Sequence, residues 1–192
     1  MKMQVDSEDI IIAEPQSIVQ CFIYDLRGEK INVLRAATRF LFIPGYNTVV
    51  SYRLVRFFHR PFWKLLRILI RRFSYEYSGA EIHPESRIGP GLQLPHPNGV
   101  VIGAGVTIGE GVTIYQQVAL GGRGKVGFKA DASDYPQIGS FVTIYAGAKI
   151  IGAIKIGPGS HIGANAVVLK DVPADSVAVG VPAKINPIKI TK

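Results

Sequence analysis

Residues 100–120 read VVIGAGVTIGEGVTIYQQVAL, and within them an aliphatic residue returns at every sixth position: Ile102, Ile108, Ile114 and Leu120. The same beat reaches back to Ile82, Ile88 and Leu94 and forward through Ile138, Ile144, Ile150, Ile156, Ile162 and Val168. A period of two would describe a flat strand and a period of 3.6 a helix. A six-residue unit of aliphatic, small and turn residues instead describes a short strand followed by a corner. Three such sides close a coil of roughly 18 residues. Successive coils stack as parallel strands about 4.8 Å apart, with the aliphatic residue inside and glycine easing the corners. The spacing therefore predicts a parallel β-helix over residues 80–192.

Two breaks interrupt the beat. The step from Leu94 to Ile102 is eight residues, at Pro95-His96-Pro97-Asn98-Gly99, and residues 121–137 (GGRGKVGFKADASDYPQ) lack inward aliphatics and must leave the coil as a loop. In a repeat architecture such irregularities are where function is placed. After Val168, the stretch KDVPADSVAVGVPAKI has the prolines and mixed spacing suited to closing the last coil, whose strand edge would otherwise invite pairing with another chain.

Residues 1–79 form a separate segment. Helical spacing runs from Ser17 to about Phe42 with a break near Gly28, Pro44-Gly45 reads as a turn, and a second helical stretch runs from Asn47 to Phe73, interrupted at Pro61. No Asp or Glu occurs between residues 31 and 75. Arg53, Arg56, Arg60, Lys64, Arg67, Arg71 and Arg72 consequently make a basic amphipathic region, read as a cap on the first coils or on a neighbouring subunit, with a membrane-surface contact as the other use.

The 192-residue length suits one large domain plus a small appendage, and 47% hydrophobic content excludes a disordered chain. The net charge of +8 fits an anionic partner, among which nucleic acid is the least favoured. Cys21 is the only cysteine, so neither an intrachain disulfide nor a cysteine metal cluster is expected. The N-terminus has no signal-peptide pattern and no apolar run long enough to span a bilayer. A cytoplasmic protein is the simplest reading, peripheral at the inner membrane surface if the basic helix binds lipid.

Four histidines are present, and His96 alone is placed by an irregularity. A neutral imidazole is the best general base near pH 7, and flanking prolines give it a stiff mounting. Glu81 lies 15 residues earlier, a little less than one coil, where a carboxylate would orient the imidazole and stabilise its cation. His83 reads as structural, His161 as outward-pointing and His59 as surface. The Gly121–Lys125 segment, GGRGK, offers exposed N–H groups and two cations suited to an anion, although no phosphate-loop pattern surrounds it.

The ordered set formed by EIHPESRIGPGLQL, HPNGVVIGAGVTIGEGVTIYQQVALGGRGK and the closing VPAKI resembles the hexapeptide-repeat acyltransferases, most closely the serine O-acetyltransferase group, over residues 80–186. The resemblance implies a left-handed β-helix, a homotrimer, and acetyl-CoA held in a groove between subunits, with no metal. It puts His96 at the general base and Glu81 where those enzymes have an orienting aspartate. Ala146, Ala164, Lys170 and Lys184 fall at coenzyme-contacting positions, and Gly122 in the glycine pair beside the acetyl group. Two departures concern the acceptor. Pro95 replaces an aspartate before the base, and Asp134-Tyr135 replaces an Arg-His pair at the loop end. A guanidinium is the natural partner of an amino-acid carboxylate. The expectation is therefore O-acetylation of a sugar in surface-polysaccharide synthesis, read by Asp134 and Tyr135, with serine acetylation as the alternative and a non-catalytic β-helix binding protein as the second. A zinc hydratase of the γ-carbonic anhydrase type would need three convergent histidines, and His83, His96 and His161 lie on different rungs without a close pair.

Overall fold

The computed structural model describes Cys21, Asp25, residues 33–124 and residues 131–188. Three helices lead in: α1 (Val33–Phe42), α2 (Pro44–Phe57) and, after a 3₁₀ turn at Pro61–Trp63, α3 (Lys64–Ser78). Pro44-Gly45, expected as a turn, is the first turn of α2. Proline has no N–H to lose there and its fixed φ suits a helix start. Gly45 has its own reason: a side-chain carbon on it would collide with the Leu94 carbonyl, so α2 touches the first coil only because this residue has none. The expected helix before Val33 lies largely outside the described residues.

From Glu81 onward the chain winds through three parallel sheets in rotation. Sheet A stacks β1 (Glu81–Ile82), β3 (Val101–Ile102), β6 (Ala119–Gly121), β9 (Lys149–Ile151) and β12 (Val167–Val168). Sheet B stacks β2 (Arg87–Ile88), β4 (Thr107–Ile108), β7 (Gln137–Ile138) and β10 (Lys155–Ile156). Sheet C stacks β5 (Thr113–Ile114), β8 (Thr143–Ile144), β11 (His161–Ile162) and β13 (Ser176–Val179). The register aligns the six-residue beat throughout: Ile82, Ile102, Leu120, Ile150 and Val168 lie over one another. β14 (Lys184–Pro187) turns back antiparallel on β13 and covers the edge that the closing sequence was expected to protect.

The predicted inward residues from Ile102 to Val168 are all buried. A second inward row accompanies them two positions earlier, at Val100, Val106, Val112, Val118, Val142, Ala148, Ile154 and Ala166, while Val172 lies over Ile156 and continues the first row. Each side is thus a short V-x-I strand with two residues inside and one out, which is period-two alternation cut off by the corner.

The helical segment is bolted onto the first coil by polar clamps. Arg53, buried among apolar neighbours, donates to Asp25 at 2.8 Å and to the carbonyls of Ile88 and Gly89, both at 2.6 Å. The other Asp25 oxygen accepts the Gly91 N–H at 2.6 Å. Arg56 donates to the Tyr52 hydroxyl and the Ser86 carbonyl. These two arginines therefore leave the basic face expected from sequence and belong to the joint between helices and coils. On α3, Leu65, Ile68, Leu69 and Phe73 are exposed. No helix among the described residues is long and apolar enough to cross a membrane.

Candidate active site

Each coil has three corners, and the corner leading from sheet C to sheet A carries the eight-residue step. On the next coil the chain passes from Ile114 to Leu120 in six residues. Between Leu94 and Ile102 the two additional residues push the backbone outward. The bulge is tied on its C-terminal side, where Gly99 N–H donates to Gly79 O at 2.9 Å, Val100 N–H to Pro97 O at 3.0 Å, and Asn98 O accepts Gln117 N–H at 3.0 Å, and just before it Gln93 pairs with the next coil, its N–H donating to Val112 O at 2.9 Å. Pro97 is buried and His96 is exposed at the crest. The imidazole is accordingly held out on a backbone that has little freedom, as a proton acceptor for a bound hydroxyl requires.

Below His96 the same corner carries an aromatic column that the sequence reading missed. The His96 ring lies 6.4 Å from Tyr115, Tyr115 stacks on Tyr145 at 5.6 Å, and Tyr145 stacks on His161 at 6.3 Å. The signal was the Thr-Ile-Tyr triplet, present at Thr113–Tyr115 and again at Thr143–Tyr145. Ala146 and Ala164 belong to this corner on successive coils, and the Ala146 carbonyl accepts Asn165 N–H at 2.8 Å. His83 accepts the Glu85 N–H on Nδ1 at 3.2 Å.

Glu81 makes no direct contact with the base within the chain as described. It is exposed at the start of β1, and among the described residues no hydrogen bond or ion pair joins its carboxylate to His96. Its nearest polar setting is a cleft of about 350 Å³ shared with Arg71, Arg72, Ser51 and Ser74 from α2 and α3. The 15-residue spacing puts the two residues on one coil, Glu81 on its sheet face and His96 at its corner.

Two of the remaining predicted residues sit at the other end of sheet A, on the corner leading to sheet B. Gly122 follows β6 and Lys170 follows β12, both at that corner, while Lys184 opens β14 on sheet C. The long loop is anchored there by Tyr135. Its ring covers Gly103, Gly105 and Gly122, where a side-chain carbon would meet it at 2.7 Å for Gly103 and 3.2 Å for Gly122. Asp134 is occupied with local structure: its carboxylate accepts the Asp131 N–H at 3.1 Å, and the Asp131 carboxylate accepts the Ser133 N–H at 3.4 Å, a reciprocal cap on the Ala132–Asp134 turn. Within one chain, then, Asp134 and Tyr135 do not share a corner with His96. Both also have structural work that the sequence reading assigned to the acceptor.

Comparison with known proteins agrees with this architecture. Residues 135–170 match the bacterial transferase hexapeptide (six repeats) family. A serine acetyltransferase of Helicobacter pylori (strain J99) is 44% identical over 144 residues, covering 75% of this chain and 82% of that protein. A serine acetyltransferase of Buchnera aphidicola is 43% identical over 149 residues, covering 77% of this chain and 53% of that longer protein, so the chain spans about half the length of that relative. A solved serine acetyltransferase in complex with CoA superposes with a TM-score of 0.71 at 32% identity, over 88% of this chain and 70% of that one.

Proposed function

The chain belongs to the serine acetyltransferase family of hexapeptide-repeat transferases, and from that premise we propose that it transfers acetyl from acetyl-CoA to the hydroxyl of serine. The observation that carries the reading is His96, held exposed on a pinned bulge at the corner along which Ala146 and Ala164 lie. His96 accepts the proton of the serine hydroxyl as that oxygen attacks the thioester carbonyl carbon. The carbon–sulfur bond then breaks, and the imidazolium returns the proton to the departing thiolate. Backbone N–H groups hold the oxyanion of the tetrahedral intermediate, and no acyl-enzyme is required.

Acetyl-CoA lies along Ala146 and Ala164, with Gly122, Lys170 and Lys184 as its further contacts. Gly122 and Lys170 occupy a different corner of the prism from His96, so the full set converges only when two copies meet edge to edge. This supports a homotrimer of left-handed helices with sites between subunits, in which Glu81 orients the base. The expected sugar acceptor gives way to serine, because the residues that argued for it are engaged elsewhere: Asp134 caps its own turn and Tyr135 packs on glycines. Thiol release from acetyl-CoA, measured with L-serine and with a panel of free and nucleotide-linked sugars under one condition, tests the reading. The expected result is turnover with serine alone, and acetylation of a sugar without serine turnover would overturn it.

A further inference from the structure

A second cleft, of about 440 Å³, opens where α1 and α2 meet the first coil. Asp25, Arg39, Tyr46, Gln93 and Pro95 line it, and Pro95 is the residue next to His96. Its volume is in the range of small-molecule sites.

Two carboxylate and guanidinium groups here are already accounted for. Asp25, at the cleft wall, accepts from Arg53 and from the Gly91 N–H, so its charge is paired. Arg39, in the last turn of α1, is the cation left over: among the described residues no carboxylate or carbonyl pairs with its exposed guanidinium. Tyr46 stands beside it in the first turn of α2. Burial pushes the Tyr46 hydroxyl up from its ordinary value, Arg39 opposes that shift and Asp25 adds to it, so both charges face this phenol. At neutral pH it stays protonated and offers an O–H donor.

We propose that Arg39 binds the carboxylate of the amino-acid acceptor in this cleft, with the Tyr46 hydroxyl as a second donor, so that the acceptor hydroxyl is directed toward His96. The assignment rests on serine as the acceptor. It supplies from the helical segment the cation that the loop end, with Asp134 and Tyr135, does not provide.

The test compares L-serine with L-serinamide, which keeps the hydroxyl and the amino group but has no carboxylate. Steady-state kinetics are measured on the full chain, its Arg39→Gln and its Arg39→Lys variants, with melting temperatures as the control for folding. A charge-assisted contact of this kind is worth roughly 10- to 100-fold in affinity. Arg39→Gln should therefore raise the serine KM by about that factor, leave the acetyl-CoA KM and the serinamide rate unchanged, and so erase the preference for serine over serinamide. Arg39→Lys should recover part of it. An Arg39→Gln enzyme that keeps the full preference would overturn the assignment while leaving serine acetylation intact. A wild-type enzyme that acetylates no serine would sink the proposed function, and Arg39's role with it.

Discussion

The two excursions from the coil handle their polar groups in opposite ways. The short one, Pro95–Gly99, uses backbone hydrogen bonds on its C-terminal side and leaves its single titratable side chain, His96, without a hydrogen-bond partner among the described residues. The longer one ends in residues that look chemically richer, yet Asp131 and Asp134 cap each other's turn and Tyr135 lies against three glycines. A polar residue on a loop is available for chemistry only if the loop does not need it to hold its own shape. The short bulge avoids that need because proline rigidity and backbone pairing already fix it.

This contrast predicts graded effects. His96→Ala should lower kcat by roughly 100-fold or more with an unchanged melting temperature, since a positioned general base contributes about 10²–10⁴. A stable variant that transfers acetyl at near the native rate would place the base elsewhere. Tyr135→Ala, in the other excursion, should act on structure first: losing a half-buried ring over Gly103, Gly105 and Gly122 should cost about 1–3 kcal/mol in denaturant unfolding. The KM for acetyl-CoA should rise in the same variant as Gly122 loses its cover. Were Tyr135 a reader of the acceptor, the serine KM would move with no loss of stability. Asp134→Ala should have the smallest effect, under about 1 kcal/mol of stability for one cap. The ratio of serine to sugar turnover should not change, and a shift in that ratio would restore the carboxylate to the acceptor site.

Much of this was readable beforehand. The inward row was legible because covalent spacing alone sets a six-residue period, and the V-x-I pairs that reveal the second inward row were equally visible. The bulge announced itself as a counting error in that period. Asp131-Ala132-Ser133-Asp134 also has the spacing of a reciprocal cap, a local signal that was passed over in favour of a substrate role. The contact of Tyr135 with Gly103 and Gly105 was not legible, because it joins positions on different coils whose approach depends on how the loop returns.

The chain order of its residues determined the stacked coils, their register, the closing segment and the one histidine raised above the repeat, since all of these follow from spacing along the backbone. Tertiary structure decided which charges are free. Arg53 and Arg39 both lie in the acid-free stretch between residues 31 and 75 and look alike in sequence. Arg53 faces the first coil, where desolvation obliges it to take Asp25, Ile88 and Gly89 as partners. Arg39 faces an open cleft. Burial of the arginine on α2 and exposure of the one on α1 separate a structural clamp from a cation available to a ligand, and that difference exists only once the helices have been laid against the coils.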